Sequence, residues 1–197
     1  MVPSRSGKGQ AAAVDDKRRP LLPKIDKRRP LPTKTEKRRP LLTKLDKLRP
    51  LPTVIIRGAK RWRVDEAPLK SAVIRTLEKA APRVAGEVTI VLCDDKEIRR
   101  LNKRYRDKDK ATDVLSFEVG DGLSAGEPFG DVVVSVETAR RQARAYRAPL
   151  MEEMQRLIVH GTLHLCGYDH HERNEAARMH GLTRRLLRDL QREAGHS

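Results

Sequence analysis

Aromatic residues are scarce in this chain: six in 197, and none of them before Trp62. The first 53 residues also hold eight of the twelve prolines, 16 of the 43 Lys and Arg, and only five of the 27 acids. Such a stretch lacks the apolar side chains that offset the entropy of folding, so it is excluded as a core-forming segment. Cysteine is nearly absent too. Cys93 and Cys166 are far apart and match no CxxC pattern, which excludes a disulfide framework and suits a reducing cytosol. No apolar run approaches the ~18 residues of a membrane span. The opening MVPSRSGKGQAAAV has no apolar h-region for export. Asp15, Asp16, Asp26, Glu36 and Asp46 interrupt the basic run, which disfavours an organellar transit peptide. The expectation is a cytoplasmic protein that does not enter a membrane.

What is present falls into two parts that meet near Thr53. Residues 1–53 contain a ten-residue repeat, KRRPLLPKID, KRRPLPTKTE, KRRPLLTKLD, KLRPLPT. Pro20, Pro30, Pro40 and Pro50 interrupt any helix across it, and the units are too short to be solenoid repeats. The segment reads as a disordered basic arm, partly polyproline II. One reading makes it an electrostatic tether, in which clusters such as Lys17-Arg18-Arg19 neutralise phosphates. The other makes it a solvated extension from repeat expansion or an upstream start codon.

Residues 54–197 alternate strand and helix patterns. Strands are expected at Val54–Ile56, Val88–Cys93, Thr112–Val119 and Asp131–Val136, from short β-branched runs. Helices are expected at 67–81, from Asp94 or Asp95 to about Tyr105, and at 137–147, 150–166 and 172–193. Four strands and about five helices predict an α/β or α+β fold, a mixed sheet packed in two or three layers.

The densest chemistry is His160-Gly-Thr-Leu-His164-Leu-Cys-Gly-Tyr-Asp-His170. Histidines at i and i+4 project from one side of a helix and can reach one ion. Gly167 is suited to end that helix in a left-handed cap, so the chain can turn and bring His170 back as a third ligand. Three imidazoles with an open fourth position describe a catalytic zinc site, with one zinc per chain. Leu150, Met154, Leu157, Ile158, Gly161 and Leu165 form one stripe, with both helical histidines at its edge. His171, His180 and His196 have no such geometry, and Cys166 reads as a small buried residue. Gly161 stands where the HExxH peptidase helix has its general-base Glu. Asp169, Glu172 or hydroxide itself remain as candidate bases.

Read with LNKRYRDKDKATDVLSF (101–117) and GDVVVS (130–135), the block HGTLHLCGYDHHE resembles the bacterial YbeY family of endoribonucleases and rRNA maturation factors. The resemblance covers roughly residues 54–190 and leaves the arm without a counterpart. It implies a zinc-dependent, single-strand-specific endoribonuclease that matures the 3′ end of small-subunit ribosomal RNA and serves ribosome quality control. Its partners would be ribosomal RNA and the ribosome, with ribosomal proteins as candidates. The resemblance gives zinc to His160, His164 and His170, and makes Arg106 functionally important. On residue type alone Arg106 would pass for a solvated charge among Lys103, Arg104 and Lys108, on a loop between a helix and a strand. Thr112, Asp113 and Ser116 form a polar strand edge, and they and Asp131 read equally as turn formers or as support for the metal site.

Two alternatives stand beside this. Another zinc hydrolase would fit the histidine spacing, although the missing HExxH glutamate and the basic balance speak against a peptidase. A non-catalytic ribosome assembly factor with structural zinc would need a fourth protein ligand, for which Cys166 and His171 are the candidates.

Overall fold

The computed structural model describes residues 50–169 and 172–195. The arm, apart from Pro50–Thr53, and His170, His171 and His196 lie outside these residues. Among the described residues ten elements follow in order: β1 (Thr53–Arg57), α1 (Ala59–Trp62), α2 (Glu66–Ala80), β2 (Glu87–Cys93), α3 (Asp95–Arg106), β3 (Val114–Glu118), β4 (Pro128–Ser135), α4 (Val136–Tyr146), α5 (Leu150–Leu165) and α6 (Arg173–Ala194). The expected four-stranded mixed sheet is present, with six helices rather than five. The added helix is the four-residue α1, too short to show any apolar period.

Side chains explain where the helices begin. Asp65 accepts from the Ala67 amide to start α2, Asp94 from that of Glu97 to start α3, and Ser135 from that of Thr138 to start α4. The Ser135 cap moves Val136 out of the expected strand and into α4. Two strands also differ from expectation. β3 begins at Val114, because Asp113 Oδ1 accepts from the Val114 amide and turns the backbone there. β4 begins at Pro128, three residues earlier than Asp131.

Strand order is β1-β2-β4-β3. β1, β2 and β4 run parallel, as their helical crossovers require, and β3 closes the edge antiparallel to β4. Val132 and Ser116 are register partners, and both lie against α5 near Gly161. Leu115 and Phe117 therefore face the other way, where Phe117 meets Tyr105 of α3 edge to face at 5.1 Å. The result is three layers, with α3 on one face of the sheet and α2, α5 and α6 on the other.

The larger core lies on the second face. It joins Leu69, Val73 and Leu77 of α2 and Val88, Ile90, Val132 and Val134 of the sheet to α5 and to Met179, Leu186 and Leu190 of α6. α5 is its central element. Met154, Leu157 and Ile158 are buried as the stripe predicted, but Val159, Thr162 and Leu163 are buried as well. Apolar neighbours surround that helix on most sides, leaving only a narrow half-buried strip. The histidines lie on it.

Candidate metal centre

Helix α5 presents His160 and His164 one turn apart, both half-buried. Their rings meet edge to face, with centroids 4.8 Å apart and planes at 86°. Nε2 of one lies 3.2 Å from Nε2 of the other. Two imidazole nitrogens bound to one tetrahedral zinc at ~2.0–2.1 Å would be roughly 3.3 Å apart. The separation of the pair is close to that value.

The helix ends where the sequence placed its stop. Gly167 has φ 77°, the left-handed conformation that Gly adopts without a Cβ penalty. Its amide donates to the His164 carbonyl at 2.8 Å, and the Tyr168 amide to the Leu163 carbonyl at 3.0 Å. These two bonds make a Schellman cap. The cap ties the backbone of His164 into the turn that leads to Asp169 and on to His170. Asp169 is half-buried, and Glu172 is exposed at the N-cap of α6. Among the described residues no three His, Cys, Asp or Glu side chains gather as a metal cluster. The third histidine of the motif lies outside those residues.

Gly161 has a structural reason for standing where a zinc peptidase carries Glu. A Cβ at that position would sit 2.6 Å from Val132 Cγ1, 3.0 Å from Ser116 Oγ and 3.2 Å from Val114 Cγ2. Position 161 therefore faces the sheet at closest approach, and no glutamate fits there. Ser116 Oγ also donates to the Gly161 carbonyl at 3.0 Å. Of the polar strand edge read from the sequence, Ser116 is thus the member that touches the histidine helix.

Asp113 lies just before β3 and acts through the backbone. Its Oδ1 accepts from Val114 N and Thr112 Oγ1, its Oδ2 accepts from Gln142 of α4, and its carbonyl accepts from Ser135 N. Asp131 is buried on β4 opposite Phe117. Cys166 packs in the apolar cluster as expected. Cys93 is buried as well, and burial, followed by the nearby Asp94, Glu97 and Asp95, pushes its thiol up to about 12. A buried thiol held that high stays protonated at neutral pH, which makes it a poor nucleophile.

Arg106 differs from expectation in one respect. It is the last residue of α3 rather than a loop residue, and it is exposed. The four residues after it set its position. Asp107 adopts a left-handed cap, and the amides of Asp107 and Lys108 both donate to the Asn102 carbonyl. The buried Asn102 side chain donates to the Lys110 carbonyl at 2.8 Å. Asp109 reaches back to Arg99 and Lys103, each at 2.8 Å. Those two cations hold the Asp109 carboxyl down to about 2. The turn carrying Arg106 is thus pinned from both sides.

Sequence reading missed a further group. Glu153, buried on α5 two turns before His160, receives a two-pronged contact from Arg156 at 2.9 and 2.5 Å. The Glu153 bond is the main cause, and nearby Asp113 a lesser one, that raises the Arg156 guanidinium above its ordinary range. At i and i+3 on a helix the two look like a surface pair, and only the three-dimensional packing buries the acid.

A close-facing histidine pair on a capped central helix, backed by a mixed four-stranded sheet, defines the class: an α/β protein with two imidazoles side by side on its central helix. Comparison with known proteins makes the class specific. The model of the endoribonuclease YbeY family matches residues 58–191, and the chain belongs to that family. The endoribonuclease YbeY of Gluconobacter oxydans is 41% identical over 143 residues, covering 70% of this chain and 82% of that protein. The one from Heliobacterium modesticaldum is 47% identical over 129 residues, covering 59% and 78%. The one from Myxococcus xanthus is 51% identical over 104 residues, 51% of this chain but only 35% of that protein. A Thermotoga maritima protein of known solution structure shares the fold, with TM-score 0.52 and 24% identity over 74% of this chain and 92% of that one. No described helix is long and apolar enough to cross a membrane.

Proposed function

We propose that this endoribonuclease-family chain is a zinc-dependent enzyme that cuts single-stranded RNA, and that it acts on the 3′ end of small-subunit ribosomal RNA and in ribosome quality control. The observation carrying the proposal is the 3.2 Å approach of His160 Nε2 to His164 Nε2, the separation that a shared ion calls for. His160, His164 and His170 would hold the metal. Bound there, zinc would supply Lewis acidity and favour deprotonation of water near neutral pH.

The chain's own residues do the rest. Arg106 offers a guanidinium, which is always charged and is shaped to grip two phosphate oxygens at once. The pinned 106–110 turn limits its freedom, so little order has to be imposed when a phosphodiester arrives. As charge grows on the phosphoryl oxygens, Arg106 offsets it. Asp169, in the connection between the helical histidines and His170, is placed in sequence to accept the proton of the attacking water. Gly161 keeps the helix against the sheet and leaves no glutamate directly after His160 to serve as a peptidase base. Cys166, a candidate fourth ligand, belongs to the apolar core, which favours an open metal position over a saturated structural one.

The test is substrate class. Purified protein should cut a single-stranded RNA, leave the matching duplex largely intact, and leave casein untouched. Chelation should abolish the cleavage and added zinc restore it. Cleavage that survives a chelator, or casein hydrolysis without RNA cleavage, would overturn the proposal.

A further inference from the structure

Helix α6 is amphipathic in an unusual way. Met179, Leu182, Leu186 and Leu190 form its buried or partly buried stripe. Taking about 100° per residue, Arg178, Arg184, Arg185, Arg188 and Arg192 fall within a sector of about 120° outside that stripe, running from beside Leu182 to the side opposite the core. All five are exposed. The acids of α6, Glu175, Asp189 and Glu193, fall outside that sector, on the flank nearer the core.

A merely solvated helix face mixes its signs, because i,i+4 pairs between opposite charges are favourable and like pairs are not. α2 does this: Glu66 pairs with Lys70, and Arg75 with Glu78. On α6, like charges recur at i,i+4 (Arg184 and Arg188; Arg188 and Arg192), which costs stability on its own, and the one opposite pair at that spacing, Arg185 and Asp189, makes no ion pair. Arg178, Arg184, Arg185 and Arg188 make no ion pair with any described residue. A polyanion laid along the face would relieve that repulsion. A guanidinium roughly every helical turn, ~5.4 Å, is on the scale of consecutive phosphates along a nucleic-acid strand. α6 has no Phe, Tyr or Trp, so base stacking is a minor part of what the face offers and backbone contacts dominate.

We propose that the outer face of α6, centred on Arg184, Arg185 and Arg188, is a docking surface for the phosphate backbone of the RNA, distinct from the histidine site. It rests on the nuclease reading above and extends it. α6 begins three residues after His170 in the chain, so a strand leaving the metal site toward α6 meets the Arg178 end of the row first. The face would grip long substrates and add affinity without sequence choice.

The test uses the full chain carrying Arg185→Glu with Arg188→Glu, two exposed positions outside the apolar stripe. Unchanged circular dichroism and Tm establish that the variant folds. Binding of a long single-stranded RNA is measured across a salt series with His164→Ala in both proteins, which prevents cleavage. Cleavage of a trinucleotide and of the long RNA is measured without His164→Ala. The expected result is about tenfold weaker long-RNA binding and a log–log salt slope shallower by roughly 1.4, at ~0.7 per lost single-strand phosphate contact. KM for long RNA should rise while trinucleotide cleavage stays at the wild-type rate. Unchanged affinity and slope, in a protein whose parent binds and cuts RNA, overturn the docking face alone. A parent that neither binds nor cuts RNA overturns the nuclease reading instead.

Discussion

The Ser116 hydroxyl donates to the carbonyl of Gly161 at 3.0 Å, which fastens the edge strand β3 to the turn of α5 between the two helical histidines. The histidine pair therefore does not ride on a free surface helix. Its depth against the sheet is set at residue 161, where backbone rather than side chain makes the contact. Replacing Ser116 by Ala should cost about 1 kcal/mol, the ordinary net worth of one such bond, seen as a small fall in denaturation midpoint. Zinc content should stay near one per chain. A loss of zinc on Ser116→Ala would mean that the bond positions the ligands and does more than fasten the helix.

Gly161→Ala should be the more damaging change of the two. The added Cβ would meet Val132 Cγ1 at 2.6 Å, and overpacking of this kind costs about 1–3 kcal/mol. At ~2–4 °C per kcal/mol for a chain of this size, calorimetry should show Tm falling by several degrees. A Tm equal to wild type would show that α5 can slide away from the sheet at no cost.

Breaking the Glu153–Arg156 pair from the arginine side leaves a buried carboxylate without its partner. Glu153 is only 3% exposed in its side chain, whereas Arg156 is 37% exposed. Full burial of both would put the loss at about 3–5 kcal/mol, and solvent around Arg156 brings the expected cost of Arg156→Met down to about 2 kcal/mol. The double change Glu153→Leu with Arg156→Met should recover most of that, because no buried charge remains. Equal destabilisation by the single and double variants, measured by urea titration, would contradict the account.

The turn after Arg106 should be acid-resistant down to an unusually low pH. Asp109 titrates at about 2 in the folded protein, below the ordinary 3.8, because Arg99 and then Lys103 bind its charged form. A lowered folded value means that the clamp contributes fully above about pH 4 and is lost as pH falls through about 2. Carboxyl NMR should report the low midpoint, and amide exchange at Lys110 and Ala111 should accelerate only below about pH 3. An Asp109 midpoint near 4 would remove the clamp.

Much of this arrangement was legible in the sequence, for local reasons. The stripe Met154, Leu157, Ile158 and Leu165 announces α5, and the i,i+4 histidines and the Gly167 stop depend only on spacing and on one residue's backbone freedom. Part of what escaped depends on contacts distant in the chain, and part on local backbone turns that residue type does not announce. Nothing near Gly161 tells that Val132 and Val114 press on it. Glu153 and Arg156 look like a surface pair until the rest of the core closes over the acid. Arg106 was expected on a loop, and the helix reaches it because Asp107 takes a left-handed cap, which a non-glycine residue rarely adopts. Strand three was expected to begin at Thr112, and Asp113 turns the chain first by bonding to its own neighbour's amide.

The most direct test of the central claim combines metal content with RNA cleavage for wild type, His164→Ala and Arg106→Ala. The account predicts about one zinc and active cleavage in wild type, and loss of both in His164→Ala. Arg106→Ala should keep its zinc with cleavage reduced by about 10²–10³-fold, the loss typical of removing one group that offsets transition-state charge. Equal activity in all three, or undiminished zinc in His164→Ala, would contradict it.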